Sequence, residues 1–201
     1  MLWNTDLFLL VNAPASPGGA MLLAAEALAA SPALLAPVLL ACLWVWGHAN
    51  RRPALLAVAA GLFVGQAVNM LLGAFWYEPR PFMAGVGHTW IAHVADNSFP
   101  SDHATLAWSL GLGMVLTGAS RRWGIIACLL GIATGWARVY LGVHFPVDVL
   151  MSAPAGLLAA AVAHLIVPAM RVWAAPPIER LYEAVLSRLP DRLPMPRRTQ
   201  P

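Results

Sequence analysis

Three short clusters of polar and ionisable residues interrupt an otherwise apolar chain: Glu78-Pro79-Arg80-Pro81-Phe82, Ser98-Phe99-Pro100-Ser101-Asp102-His103, and the stretch from Arg138 through His144 to Asp148. Two Arg, two His, a Ser and two Asp make an anion site if they converge, because the planar fork of Arg suits bidentate phosphate contacts. Phosphate is the guest that these residue types favour. Ser101 is the expected N-cap of a helix opening at Pro100-Ser101-Asp102-His103, whose free N–H groups and positive dipole end would face the same pocket. His144 and Asp148 are four apart, and Pro146 suits the first turn of a helix, so the carboxylate can reach back to one ring nitrogen. That contact fixes the tautomer and strengthens the other nitrogen as a nucleophile. His103, on a different helix, is then available as the general acid that protonates a leaving oxygen.

The elements that must position these groups are membrane helices. The chain has 201 residues, 60% of them apolar and only 10% charged, and its mean hydropathy is +0.69. A soluble domain carries about 45–50% apolar and about 25% charged residues. A soluble enzyme, a disordered tail, a disulfide scaffold and a nucleic-acid binder are therefore disfavoured. The net charge of +3 comes with no Lys at all, and the 12 Arg sit in short clusters. The only two cysteines, Cys42 and Cys128, lie in apolar runs and support neither a disulfide framework nor a metal site. A spanning helix needs about 20 mostly apolar residues, and candidate runs occupy 20–47, 53–77, 103–120, 123–140 and 146–172. The first run, interrupted by Ser31, Pro32 and Pro37, is either one kinked helix or two helices. The expected fold is thus an all-α polytopic membrane bundle with five to six transmembrane helices. Residues 1–19 carry Asp6 and no basic residue, the wrong charge for a cleaved signal peptide.

Cytoplasmic loops are enriched in basic residues, which assigns Arg51 and Arg52, Arg121 and Arg122, and the tail from Arg171 onward to the cytoplasmic side. Alternation then puts the loop from about Tyr77 to Ser101 and the turn from Tyr140 to Pro146 on the opposite face, where all three polar clusters lie. With one span over 20–47 the N-terminus is extracytoplasmic as well; with two it is cytoplasmic. Residues 1–175 are expected to form the membrane-embedded domain. Within 176–201, an amphipathic helix from about Pro177 to Leu189 would lie at the cytoplasmic interface, followed by a disordered Pro- and Arg-rich end from Pro190 to Pro201.

Taken singly, each polar residue has a plain structural explanation; an Arg-Pro pair is usually a loop, and a His near a helix end is usually a satisfied polar group. Taken jointly, ionisable residues gathered at the ends of spans on one face mark a functional site. His88 and His93, in the loop with Trp90, are open between surface roles and contact with a substrate headgroup. Asp96 and Asn97 are expected as turn residues, and Gln66 and Asn69 as helix-packing polar groups.

The arrangement Arg80-Pro81, then Pro100-Ser101-Asp102-His103, then Arg138 with His144 and Asp148 resembles the three-part signature of the type-2 phosphatidic acid phosphatase superfamily of integral membrane lipid phosphatases. The stretch Phe75-Trp76-Tyr77-Glu78-Pro79-Arg80-Pro81-Phe82-Met83, with Gly87-His88-Thr89 and Ser98 to His103, looks most like its bacterial undecaprenyl pyrophosphate phosphatase branch. Two positions depart from the common pattern. Gly73 stands where a Lys usually opens the first motif, and Asp102 replaces the Gly of Ser-Gly-His. The resemblance implies that His144 attacks the terminal phosphorus to form a phosphohistidine, Asp148 orients it, and His103 protonates the departing lipid phosphate. Arg80, Arg138, Ser101 and the backbone around Asp102 would hold the phosphoryl oxygens. Pro81 and His88 are candidates for a headgroup loop. It implies no cofactor and no metal, and no carboxylate cluster of a magnesium-holding kind is present. The implied partners are a polyprenyl pyrophosphate substrate and membrane lipids, not nucleic acid, in a bacterial cytoplasmic membrane with the site facing outward. Other lipid phosphates such as phosphatidylglycerophosphate or lipid A, transfer of the phosphoryl group to a lipid acceptor, and a non-catalytic lipid-binding or transport role are the competing expectations.

Overall fold

The computed structural model of the chain describes residues 2–188, all in helices and their connections. The helices are α1 (Leu2–Val11), α2 (Gly19–Trp46), α3 (Arg52–Phe75), α4 (Asp102–Leu116), α5 (Arg121–Tyr140), α6 (Pro146–Leu150), α7 (Ser152–Ala169) and α8 (Ala175–Leu186). No strand occurs among the described residues, where one isolated antiparallel bridge pairs Pro79 with Asn97. The all-α membrane architecture is as expected.

Four helical segments are long and apolar enough to cross a membrane: Gly19–Trp46, Ala49–Phe75, Arg121–Tyr140 and Pro146–Leu186. The expected fifth span is α4, which has 15 residues and so measures only about 22 Å at 1.5 Å per residue, short of the ~30 Å hydrocarbon core. Its surroundings allow this, because α4 packs against α2, α3, α5 and α7 and buries Ala104, Ala107, Leu110 and Met114. A helix sheathed by protein need not match the thickness of the bilayer.

The run with two prolines is a single helix, α2. Pro32 has no N–H, so the carbonyl of Leu28 loses its partner within the helix. Two hydroxyls replace it: Thr134 Oγ1 of α5 donates to Leu28 O at 3.1 Å, and Ser31 Oγ at 2.9 Å. Close approach of α3 to α7 relies on small residues, with Gly61 against Ala159 and Ala163; a Cβ at Gly61 would lie 3.0 Å from Ala163 Cβ.

The bundle has two chemically distinct ends. At one, Arg51 Nη1 donates to Ala119 O at 3.3 Å, bringing the α3 start and the α4–α5 turn, with its Arg121 and Arg122, together. α8 docks at this end too. The guanidinium of Arg52 lies 5.0 Å from the Trp44 ring centroid and 4.8 Å from that of Tyr182, with Glu179 Oε1 at 3.7 Å. The helix starts at Ala175, two residues earlier than expected, and is anchored on the bundle while Leu181 and Val185 stay exposed. Leu189 and the segment from Pro190 to Pro201, expected to be disordered, lie outside the described residues. At the other end, Asn12 donates to His88 O at 2.9 Å and Tyr140 O at 3.1 Å and accepts from His88 N at 2.8 Å. The N-terminal segment, the 76–101 loop and the α5–α6 turn therefore share one end of the bundle, opposite the Arg-rich turns.

Candidate active site

The 76–101 loop has almost no secondary structure of its own, and a side chain supplies what is missing. Asn97 Nδ2 donates to Gly73 O, Trp76 O and Phe99 O at 3.2, 3.1 and 3.2 Å, while its Oδ1 accepts from Glu78 N at 2.9 Å and Phe99 N at 3.2 Å. One amide thus satisfies five backbone groups and fixes both ends of the loop. It also explains Gly73, since a Cβ there would lie 2.7 Å from Asn97 Nδ2. The position where the resemblance has a lysine is closed by this asparagine.

Arg80 is held almost fully buried by this frame. Its Nε lies 2.8 Å from Asp96 Oδ1, Nη2 donates to Asn97 O at 3.1 Å and Nη1 donates to Val143 O at 2.9 Å. Pro81, which follows, is buried beside it. The last bond ties the loop to the α5–α6 turn, where Gly142 takes the left-handed conformation at φ +80° and the His88 carbonyl sits where a Cβ would stand. The turn is closed by Val143 N donating to Arg138 O at 3.1 Å and by Trp90 N donating to Leu141 O at 3.1 Å. It delivers His144 into the bundle, only 2% exposed.

Every nitrogen of His144 is accounted for. On one side, Nε2 is 3.2 Å from Arg80 Nη1 and 3.3 Å from Arg138 Nη2. A guanidinium can only donate, so Nε2 presents a lone pair and the ring proton resides on Nδ1. On the other side, Nδ1 is 3.2 Å from Ser98 Oγ and 3.6 Å from Asp148 Oδ2, and Ser98 Oγ donates to Asp148 Oδ2 at 2.5 Å. The chain of donors therefore runs from His144 Nδ1 to Ser98 to Asp148. The same carboxylate oxygen accepts from Phe145 N at 2.8 Å, capping α6. Burial, and then the charges of Arg138 and Arg80, hold the His144 imidazolium well below its usual range, so the ring is neutral.

Arg138 is also buried, and its Nη2 is 2.7 Å from Nε2 of His93. Its Nε, the hydroxyl of Ser101 and Oδ1 of Asp148 are buried without a partner. Ser101 was expected to cap α4 through its side chain; it precedes the helix, but its hydroxyl makes no cap bond. Its backbone N–H instead donates to Asp148 O at 3.1 Å. Asp102 is exposed and turned to α3, where its Oδ1 accepts from Asn69 Nδ2 at 2.8 Å and its carbonyl from Gln66 Nε2 at 3.3 Å. Asn69 and Gln66 are thus the holders of this carboxylate, and Asn69 also bonds Thr105 Oγ1 at 3.1 Å. His103 opens α4 half-buried, near the charges of Arg138, Asp102 and Arg80, with no hydrogen bond to its ring. The ring of His88 is not brought to this cluster; the residue is exposed and Asn12 holds only its backbone.

The structure therefore gathers Arg80, Ser101, Arg138, His144 and Asp148, with His103 at their edge. Sequence reasoning missed Ser98 as a link, Asp96 as the partner of Arg80, and Asn97 as the frame. Asp96 had a signal: it is the only acid between Glu78 and Asp102, and a buried arginine needs a counter-charge. Among the described residues no group of three or more His, Cys, Asp or Glu side chains is placed to hold a metal ion.

The chain is similar to several known proteins. Residues 54–171 match the PAP2 superfamily. The protein YbjG of Escherichia coli (strain K12), whose name carries a provisional undecaprenyl-diphosphatase assignment, is 34% identical over 168 residues, covering 83% of this chain and 84% of its own. The undecaprenyl-diphosphatase BcrC of Bacillus subtilis (strain 168) is 33% identical over 156 residues, 76% of this chain and 77% of its own. The crystal structure of Aquifex aeolicus LpxE shares the fold, with a TM-score of 0.64 and 24% identity over 80% of this chain and 94% of that one. Its long apolar helices make the chain a membrane protein, and the match over residues 54–171 together with the identity to these relatives shows that it belongs to the PAP2 superfamily.

Proposed function

We propose that this protein is an undecaprenyl pyrophosphate phosphatase of the bacterial cytoplasmic membrane, which returns the lipid carrier of cell-wall synthesis to its monophosphate form. The observation that carries the reading is the His144 Nε2 lone pair set between two guanidinium groups, with its Nδ1–H backed by Ser98 and Asp148. A buried neutral imidazole beside two fixed cations is a nucleophile suited to an anionic phosphoryl group. The names of the Escherichia coli and Bacillus subtilis relatives support the substrate.

In this mechanism Nε2 forms a bond to the terminal phosphorus as the bond from phosphorus to the bridging oxygen breaks. The positive charge gained by the ring is stabilised through Ser98 and Asp148, which hold the Nδ1 proton. His103, protonated once the anionic substrate offsets the nearby arginines, gives its proton to the bridging oxygen, and undecaprenyl phosphate leaves. A water molecule then loses a proton to His103 and attacks the phosphohistidine, releasing orthophosphate and restoring the Nε2 lone pair. Arg80, Arg138, the Ser101 hydroxyl and the N–H groups at the start of α4 take the phosphoryl oxygens, which explains why Arg138 Nε and Ser101 Oγ are buried without partners. The carboxylate of Asp102 stays out of this set because Asn69 holds it away. An apolar groove of about 200 Å³ between α1 and α5–α6, lined by Leu7, Val11, Trp136, Val139 and Val149, suits part of a lipid tail. Orientation follows the Arg-rich end, which faces the cytoplasm and leaves the site extracytoplasmic, with α4 crossing inside the bundle.

Phosphate release from undecaprenyl pyrophosphate in detergent, with EDTA present, tests the reading on the native protein and on His144→Ala. Turnover that survives the chelator and is lost in the variant is the expected result. No release from this or other lipid phosphates by the native protein would overturn it.

A further inference from the structure

We propose that His93 binds the second phosphate of a diphosphate substrate and thereby sets the preference of this site for diphosphates over monophosphates; this rests on the phosphatase reading above and names what distinguishes its substrate. The residue lies on the 76–101 loop with a half-buried side chain, and its ring meets that of His144 edge to face, centroids 6.2 Å apart at 79°. Arg138 Nη2 is bracketed by the two imidazoles, 2.7 Å from His93 Nε2 and 3.3 Å from His144 Nε2. Because the guanidinium only donates, His93, like His144, presents an Nε2 lone pair. Its Nδ1 is 3.1 Å from Val94 O and 4.0 Å from Asp96 Oδ1, so the ring proton is held on the loop side and Nε2 is aimed at the site.

A phosphoryl group arriving in front of His144 takes the N–H groups of Arg138 for its own oxygens. His93 Nε2 then loses its donor, and a half-buried ring nitrogen left without a partner is unfavourable. The remedy is a proton, which converts Nε2 from acceptor to donor and adds a positive charge one imidazole away from the nucleophile. With the two ring centroids 6.2 Å apart, that charge stands beside the transferred group rather than at it, where the second phosphate of a diphosphate would meet it. The charged and titratable groups facing His93 are Arg80 and Arg138, which oppose the proton, Asp96, which favours it, and His103 and His144. Burial, and then the charges of Arg80 and Arg138, hold the ring below its usual value; a bound diphosphate would oppose those two charges.

Charge balance leads to the same residue. A diphosphate carries more negative charge than a monophosphate, and the charge of Arg80 is already balanced by Asp96. The chain contains no lysine, and position 73 is filled by Asn97. A third cation must come from an imidazole, and with His103 occupied by the leaving oxygen, His93 is the one that remains beside Arg138.

The test compares inorganic pyrophosphate with orthophosphate as ligands of the full chain in detergent, by thermal shift and by competition with lipid substrate, for the native protein, His93→Ala and His93→Gln. The native protein should bind pyrophosphate the more tightly. In His93→Ala that preference should fall by about tenfold or more, the scale of one hydrogen bond to a charged group, and KM for undecaprenyl pyrophosphate should rise by a similar factor. His93→Gln, which keeps a donor, should recover part of it and serves in place of the alanine variant if that fails to fold. An equal loss for both anions would mean that His93 only steadies Arg138, and an unchanged preference, or none in the native protein, would equally overturn the proposal. The binding arm needs no turnover, so a native protein that binds pyrophosphate through His93 but hydrolyses no lipid phosphate would refute the phosphatase reading alone.

Discussion

His144 is neutral because the protein makes its charged form expensive: it is buried and faces two guanidinium groups. In the mechanism proposed above the nucleophile is the neutral form, so lowering the pH should remove activity only when it passes the depressed value of this ring rather than the ordinary 6.5. The acid limb of kcat/KM, measured from pH 4.5 to 8, should therefore lie below 6.5, and half-loss at 6.5 or above would contradict the neutral-nucleophile assignment. The link through Ser98 makes a second prediction. Asp148→Asn should lower kcat by about a hundredfold or more, and Ser98→Ala by about tenfold, since both weaken the acceptor for the Nδ1 proton. Because the two act in one chain of hydrogen bonds, the double variant should be little worse than Asp148→Asn alone; additive losses in kcat would show that they act separately. The His144 and Asp148 pairing could be read from a spacing of four, but the hydroxyl between them comes from a residue 46 positions away.

At the scale of elements, the α5–α6 turn is what brings Arg138 and His144 to the same point. Gly142 is left-handed there, with the His88 carbonyl against the place of a Cβ. Gly142→Ala should cost about 1–2 kcal/mol or more, from backbone strain and the displaced 86–90 segment, and should lower activity further than stability because His144 moves with the turn. Thermal unfolding in detergent beside turnover measures both. The helices themselves were legible as apolar runs, and a kinked α2 was one of two readings left open by Pro32 and Pro37. The chain runs as one helix there, and the Leu28 carbonyl that Pro32 leaves free is met by Ser31 and by Thr134, the latter more than a hundred positions distant. Apolarity marked the run that becomes α4 but could not measure it: the helix ends at Leu116 inside a protein sheath, where length is set by its neighbours and not by lipid.

For the whole molecule, the separation of the Arg-rich end from the end that holds the candidate site makes orientation testable. In a background with Cys42 and Cys128 replaced by Ser, a cysteine at exposed Ala92 should react with a membrane-impermeant maleimide from outside intact cells, whereas one at exposed Arg122 should react only after the membrane is opened. The reverse pattern would place the site in the cytoplasm. The sequence by itself determined the class of molecule and the inventory of chemistry: apolar runs drive helices into a membrane through local composition, and Arg80, Ser101, His103, Arg138, His144 and Asp148 stand in a recognisable order. Only the tertiary structure decided which of those groups meet, that Asp96 balances Arg80, that Asn97 closes the place of the missing lysine, that Asp102 turns to Asn69, and that His93 shares a nitrogen of Arg138 with His144. Hydrophobic partition is a property of a segment, summed over its residues, whereas a hydrogen bond depends on direction and on a few tenths of an ångström between groups that only packing brings together.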